Sequence, residues 1–339
     1  MSKCSKPLLY ESLTTIIKFT EPNLRIHLTR RLPSIKTVAK STLLKIDSLI
    51  FEKDKTIVNG TIYQIGCCLN LIPGPHQNED AQIKDEEQFG DLQLVPTRYT
   101  HFREVFENVL PSSQLTIQDS NGQQTYRSSF TVPQGLRYMN TVILRGHPIR
   151  INEFHVAEGV QTIRLPIGIK FTIKKINVDI MHVGKFEPIL DSFPEQVELM
   201  NSSVFEDTLE ENLNGPIVKN AKRLIIKELA PYTRILNIRR LSNLEVDLRY
   251  CKTELTQVLG LVQNCVADGR PVGTTYWIGF AFLNEGMKCL NGIRNQMSVR
   301  SSTKSSIILS MRDGSILKIL LKQDGKRWVL RFKVAADLP

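Results

Sequence analysis

The chain has no apolar run of about 18 residues, so no helix in it is expected to cross a bilayer. Its opening, MSKCSKPLLYESL, carries lysines but no apolar core segment, which argues against a secretory signal. Cysteine is scarce. The six thiols (Cys4, Cys67, Cys68, Cys251, Cys265 and Cys289) include no C-x-x-C pair. They suit reduced cysteines in a cytoplasmic or nuclear protein better than a disulfide framework. The six histidines (His27, His76, His101, His147, His155 and His182) pair with no Cys, Asp or Glu at zinc-ligand spacing. No G-x-S-x-G elbow, no G-x-x-x-x-G-K-[ST] loop and no G-x-G-x-x-G after a strand is present. The expectation is a protein that is not an enzyme, with no cofactor and no metal. Aromatics make up 7% of residues and are not interleaved with a basic stripe, which weakens nucleic-acid recognition.

What is there is an ordinary globular composition, 41% hydrophobic and 23% charged, over 339 residues. The net charge of +10 is unevenly placed. Nine basic residues face two acidic ones before Asp47, and nine face two between Val299 and Lys333. In the tail the lysines alternate with apolar residues, as in Ile316-Leu317-Lys318-Ile319. That is the pattern of a solvated strand face. The acids at Asp85-Glu86-Glu87 and at Glu206, Asp207, Glu210 and Glu211 read as solvent-facing runs.

The first 45 or so residues have helical periodicity. Leu9, Leu13, Ile16 and Ile17 form one stripe, and Glu21-Pro22 breaks it. Leu24, Leu28 and Leu32 resume at i, i+4, i+8, and Pro33 ends that stripe. Ser34 is placed to cap a third short helix carrying Ile35 and Val38. Asn59-Gly60 between two β-branched runs then predicts a hairpin with a type I′ turn. Residues 73–98 are polar and acidic and read as a long loop. A helix is expected over Tyr99–Leu110, and a turn at Ser120-Asn121-Gly122.

From about residue 140, short apolar segments recur, centred near Val178, Glu198, Ile225 and Val246, with spacings of 20, 27 and 21 residues. FEPILDSF and VFEDTLEENL between them have helical character. The period is that of a leucine-rich-repeat solenoid; a parallel sheet in an ordinary α/β layer gives similar spacing. LTQVLGLVQNCVADG predicts a helix with Leu255, Val258, Leu259 and Val262 on one face, stopped at Asp268-Gly269. The tail predicts an antiparallel meander with turns at Asp313-Gly314 and Asp324-Gly325. Trp328, Leu330, Phe332 and Val334 fall on its inner face, opposite Val329, Arg331 and Lys333.

Two stretches carry a family resemblance. PLLYESLTTIIKFTEPNLRIHLTRRLPSI, through Pro7, Leu8, Tyr10, Leu13, Asn23, Arg25, Pro33 and Ser34, resembles the opening of a nematode-expanded family of F-box-like proteins of unknown function. LVQNCVADGRPVGTTYW resembles a segment of the same family, with Cys265 where tryptophan is common. TIRLPIGIKF and PIVKNAKRLII are similar to its middle. The resemblance implies an F-box-like helical segment at 1–46 that docks on the adaptor subunit of a cullin–RING ubiquitin ligase. The downstream domain would hold a protein substrate. It implies partner-binding residues Pro7, Leu8, Leu13, Ile16 and Ile17, whose spacing suits an apolar groove.

The expected fold class is mixed α+β and α/β. It comprises the N-terminal helices, a β-hairpin at 47–72, a loop-rich acidic insertion at 73–139, a leucine-rich-repeat-like α/β region at 140–270 and a C-terminal α+β meander at 271–339. The alternatives are a protein-binding scaffold without a ligase link, in which the helices only cap the solenoid, and nucleic-acid binding through the basic termini.

Overall fold

The computed structural model describes residues 10–67, 91–94, 113–120, 122–128, 130, 132–144, 146, 148–200, 209–227, 241–251 and 253–337. The helix read over Tyr99–Leu110 and most of the loop at 73–98 lie outside them. The fold is mixed α+β, in two compact units. The first is Met1–Lys174 with Lys185–Ser192, and the second is Lys175–Gly184 with Phe193–Pro339. No helix among the described residues is long and apolar enough to cross a membrane.

The first unit begins with α1 (Tyr10–Phe19), α2 (Pro22–Arg31), a 3-10 turn at Pro33–Ile35 and α3 (Lys36–Ser41). The break falls where Glu21-Pro22 predicts it. The Glu21 carboxylate accepts from the Leu24 amide at 2.8 Å, and Pro22 takes the first helical position, where its missing amide costs nothing. Ser34 does not cap α3: Ile35 precedes the helix and no side chain bonds its amides. Strands β1 (Leu44–Phe51), β2 (Lys55–Val58) and β3 (Thr61–Cys67) follow. Asn59 and Gly60 both take positive φ, 49° and 85°, as the type I′ turn requires. The remaining elements are β4 (Leu92–Gln93), β5 (Ser113–Asp119), β6 (Gly122–Ser128), α4 (Val132–Leu144), β7 (Ile149–Val156), β8 (Thr162–Ile163), the first half of β9 (Phe171–Asp179) and β10 (Leu190–Ser192). Their main sheet has the order β9-β7-β1-β2-β3-β5-β6, with β10 on β9 and β1 parallel to β7. β4 pairs with β8 separately, so part of the stretch read as loop is a short strand. FEPILDSF is not an α-helix: Val183–Ile189 is a 3-10 helix containing Pro188, and β10 follows at once.

The second unit is built on the recurring segments. The second half of β9 is followed by β11 (Gln196–Met200), α5 (Leu209–Leu213), α6 (Pro216–Asn220), β12 (Arg223–Lys227), β13 (Glu245–Leu248), α7 (Leu255–Asp268) and β14 (Thr275–Phe280). The strands β9, β11, β12, β13 and β14 are all parallel, each beside the next in chain order. That single direction is what a solenoid produces, without the reversal of a doubly wound sheet. Two rows of residues run across it on one face. Ile176, Val197, Leu224, Val246 and Tyr276 form the first, and Val178, Leu199, Ile226, Leu248 and Ile278 the second. All ten are fully buried, each worth about 1.5–3 kcal/mol of apolar transfer when wholly removed from water. Polar side chains tie one repeat to the preceding one. Asn243 donates to the carbonyls of Val218 and Ala221, both at 2.7 Å, and the Cys251 thiol donates to that of Ile226 at 3.2 Å.

Helix α7 stops where Asp268-Gly269 predicts, with Gly269 at φ 73°. Helix α8 (Leu283–Gln296) leads into β15 (Val299–Ser302), β16 (Ser306–Ser310), β17 (Ile316–Asp324) and β18 (Arg327–Ala335). They form the expected meander, and β18 joins it antiparallel to β14. The inner face holds Leu330, Phe332 and Val334, as the alternation predicts, but Trp328 at the start of the strand is only half-buried, and Val329 on the outer face is fully buried. Val329 lies opposite Gly279, over which the turn after β13 crosses. A Cβ at Gly279 would sit 2.0 Å from the Arg249 carbonyl oxygen, so only glycine fits.

Candidate functional site

The N-terminal helices were the expected partner-binding segment, and the structure divides their apolar residues in two. Ile17 is 1% exposed and packs with Val38 and Ala39, and Leu13 and Ile35 cover that cluster. Ile16, the next position round the helix, is 49% exposed, and Phe19 one turn on is 76% exposed, with the Lys18 ammonium over its ring. Tyr10 also points outward. So Leu13 and Ile17 hold α1 to α3, while Ile16 and Phe19 face away. Pro7 and Leu8 lie outside the described residues.

Helix α2 departs from its sequence pattern. The Leu24/Leu28/Leu32 stripe is not its buried face: Leu24 and Leu32 are exposed and Leu28 is only half-buried. The buried residues are Pro22, Arg25 and Ile26. Arg25 explains the rotation. Its guanidinium donates to the carbonyls of Ala39, Thr42 and Leu43, the last at 2.8 Å, where α3 ends. A helix C-terminus has unpaired carbonyls and carries partial negative charge, so a buried cation there is doubly compensated. Burial lowers the Arg25 pKa to about 10, which leaves it charged at neutral pH. On the other flank, Asn23 donates to the Val58 carbonyl at 3.0 Å and accepts from the Tyr63 hydroxyl at 2.8 Å. Burial, with the nearby Glu21 charge, pushes the Tyr63 phenol up to about 12. Arg25 and Asn23 thus fix α2 between α3 and the hairpin and turn its leucines outward.

A cleft of about 1100 Å³ opens beside α2, between its His27/Arg30/Arg31 side and the β5–β6 hairpin. Its polar lining includes Asn23 and Tyr63, which bond each other. No cluster of three metal-ligating side chains occurs among the described residues. The described thiols Cys251, Cys265 and Cys289 are buried. Burial pushes the Cys265 thiol up and the Cys289 thiol up to about 11, which suits inert core residues rather than nucleophiles. Of the acids read as surface runs, Glu211 is exposed; Asp85 to Glu87, Glu206 and Asp207 lie outside the described residues.

The outward face of the second unit's parallel strands carries charge instead. Glu198 is buried but meets Lys227 at 2.5 Å, Lys175 at 3.8 Å and the Asn177 amide at 3.1 Å. Asp247, 1% exposed, is gripped by Arg249 at 2.7 Å and Arg223 at 3.9 Å. Its hydrogen bonds raise the Arg249 pKa further. Arg223 also stacks over Trp277, with 6.0 Å to the ring centroid. The sequence hints at this face only through alternation along each strand; which charges meet depends on cross-strand register, which spacing alone does not specify.

Residues 131–281 match the model of a family described as a domain of unknown function (DUF3557). The match runs from α4 through the last parallel strand, β14. No curated protein and no solved structure matches the chain.

Proposed function

We propose that this chain is a non-catalytic, protein-binding subunit that recruits a substrate to a cullin–RING ubiquitin ligase, with α1 and α2 docking on the ligase adaptor. The observation that carries the reading is the outward apolar set on these two short helices and at the end of α2: Ile16, Phe19, Leu24 and the following Leu32, all more than 45% exposed. Amphipathic helices bind grooves through anchors at such spacings. The F-box-like resemblance of residues 7–35 supplies the kind of partner. Pro7, Leu8, Leu13, Ile16 and Ile17 remain the proposed contact segment. Within it Ile16 faces outward, while Ile17 and Leu13 hold its shape. A cytoplasmic or nuclear location accompanies this reading.

The test is co-purification of the full chain with the recombinant adaptor. Wild type should capture it, and Ile16→Asp with Phe19→Asp should not, because neither side chain belongs to the buried cluster. Failure of wild type to capture the adaptor rejects the reading.

A second reading, a scaffold without a ligase link, is favoured by the Asn23 and Arg25 bonds, which dock α2 on its own unit. Deleting residues 1–45 would then lower the melting temperature sharply, with no adaptor captured by wild type.

A further inference from the structure

The outer face of the C-terminal meander holds a cluster of cations around an apolar centre. Lys318 on β17 and Lys333 on β18 are directly opposite in register, and both are exposed. Leu320, 40% exposed, is opposite Arg331 on the same face. Arg331 is in turn opposite Trp277 on β14, and Lys322 opposite Val329. Ile308 on β16 flanks Lys318. Among the described residues, Lys318, Lys322, Arg331 and Lys333 form no ion pair. The Arg331 Nε is shielded from water and bonds nothing. The contrast with the parallel strands is plain, since there every buried acid has its cation.

Like charges directly opposite on an antiparallel pair destabilise it. Placing lysines at 318 and 333 lowers fold stability relative to a Lys/Glu pair, and among the described residues no acid pairs with either. Features that break a local rule are expected where a function uses them. An apolar centre formed by Leu320, Ile308 and Trp277 with a charged rim is the usual anatomy of a protein-binding patch. Four unpaired cations set its sign.

We infer that this face binds an acidic peptide segment, whose carboxylates pair with Lys318, Lys322, Arg331 and Lys333 while an apolar side chain covers Leu320. A peptide fits better than a nucleic acid. The exposed centre of the patch is the aliphatic Leu320, and the half-buried Trp277 already carries Arg223 over its ring, so no open aromatic face is offered to a base, whereas a peptide can cover Leu320 with an apolar side chain. The inference does not rest on the adaptor reading, since it concerns another unit and another partner.

The experiment uses the full chain and three labelled probes: a Glu/Leu peptide, its Gln/Leu counterpart and a single-stranded oligonucleotide of matched charge. Fluorescence anisotropy should show binding of the Glu/Leu peptide that weakens with salt, and no binding of the Gln/Leu peptide. K318E should weaken the Glu/Leu peptide by roughly tenfold or more, as loss of a complementary charge does. It should also raise the melting temperature by roughly 1–3 °C, because Glu opposite Lys333 replaces a repulsion. The double variant K318E/K333E should melt like wild type and bind the Glu/Leu peptide more weakly still. Equal affinity of K318E and wild type, binding of the oligonucleotide in place of the peptide, or no binding of any probe overturns the inference.

Discussion

The parallel strands of the second unit and the N-terminal helices of the first bury apolar side chains in opposite ways. In the strands, both rows of the inner face are sealed, and the outer face neutralises its acids with neighbouring cations. In the helices, a small cluster of Ile17, Val38 and Ala39 is sealed, and comparable apolar bulk is left outside. The strands form a core that is complete in itself. Helix α1 is held by that cluster, whereas α2 holds its position through specific polar bonds, Arg25 to three carbonyls and Asn23 to the hairpin, rather than through its leucine stripe. Polar anchoring leaves Leu24 and Leu32 exposed.

That contrast predicts a graded set of responses. The largest belongs to Gly279→Ala. A methyl 2.0 Å from the Arg249 oxygen must displace backbone, at a cost of about 3 kcal/mol or more, read as a fall in the denaturation midpoint. Leu224→Ala, in the middle of the buried rows, should cost about 2–5 kcal/mol by the same measurement. Arg25→Met removes the donor to three carbonyls and should cost about 2 kcal/mol. It should also raise the exchange rate of α3 amides more than that of α7 amides. An equal rise in both would mean that Arg25 is not the local anchor of the helices.

Alkaline pH probes both units at once. Tyr63 in the first and Tyr276 in the second are held near 12, chiefly by burial, against 10.0 when exposed. The folded chain therefore keeps protons that the unfolded chain loses first. Stability is fully present below about pH 10 and falls as pH rises through 12. Denaturation midpoints should show that fall, and Tyr276→Phe should flatten part of it. The smallest effect belongs to Ile16→Asp, which should change stability by no more than about 0.5 kcal/mol in a thermal melt. A large loss would mean that α1 packs as a core helix.

Much of the scaffold was legible in the residues, because local chemistry sets it. Asn59-Gly60 dictates its turn, Gly269 its helix end, and the spacing of Val178, Glu198, Ile225 and Val246 falls within a residue of the strands' shared register. The illegible parts depend on contacts distant in sequence. Leu24, Leu28 and Leu32 have the periodicity of a buried face, yet Arg25 finds carbonyls 14 to 18 residues away that outweigh it. Val329 alternates onto a wet face, yet the turn at Arg249 crosses beside it. Of the candidate site, the stripe of Leu13, Ile16 and Ile17 was legible. That it splits between inside and outside was not, since α3 decides it.

The most direct measurement is a binding isotherm of the purified ligase adaptor against wild type and the Ile16→Asp, Phe19→Asp variant, with melting curves of both. Saturable wild-type binding, a variant weakened by roughly tenfold or more, and matching melts are the expected result. Equal affinities, or a wild type that binds no adaptor, would contradict it.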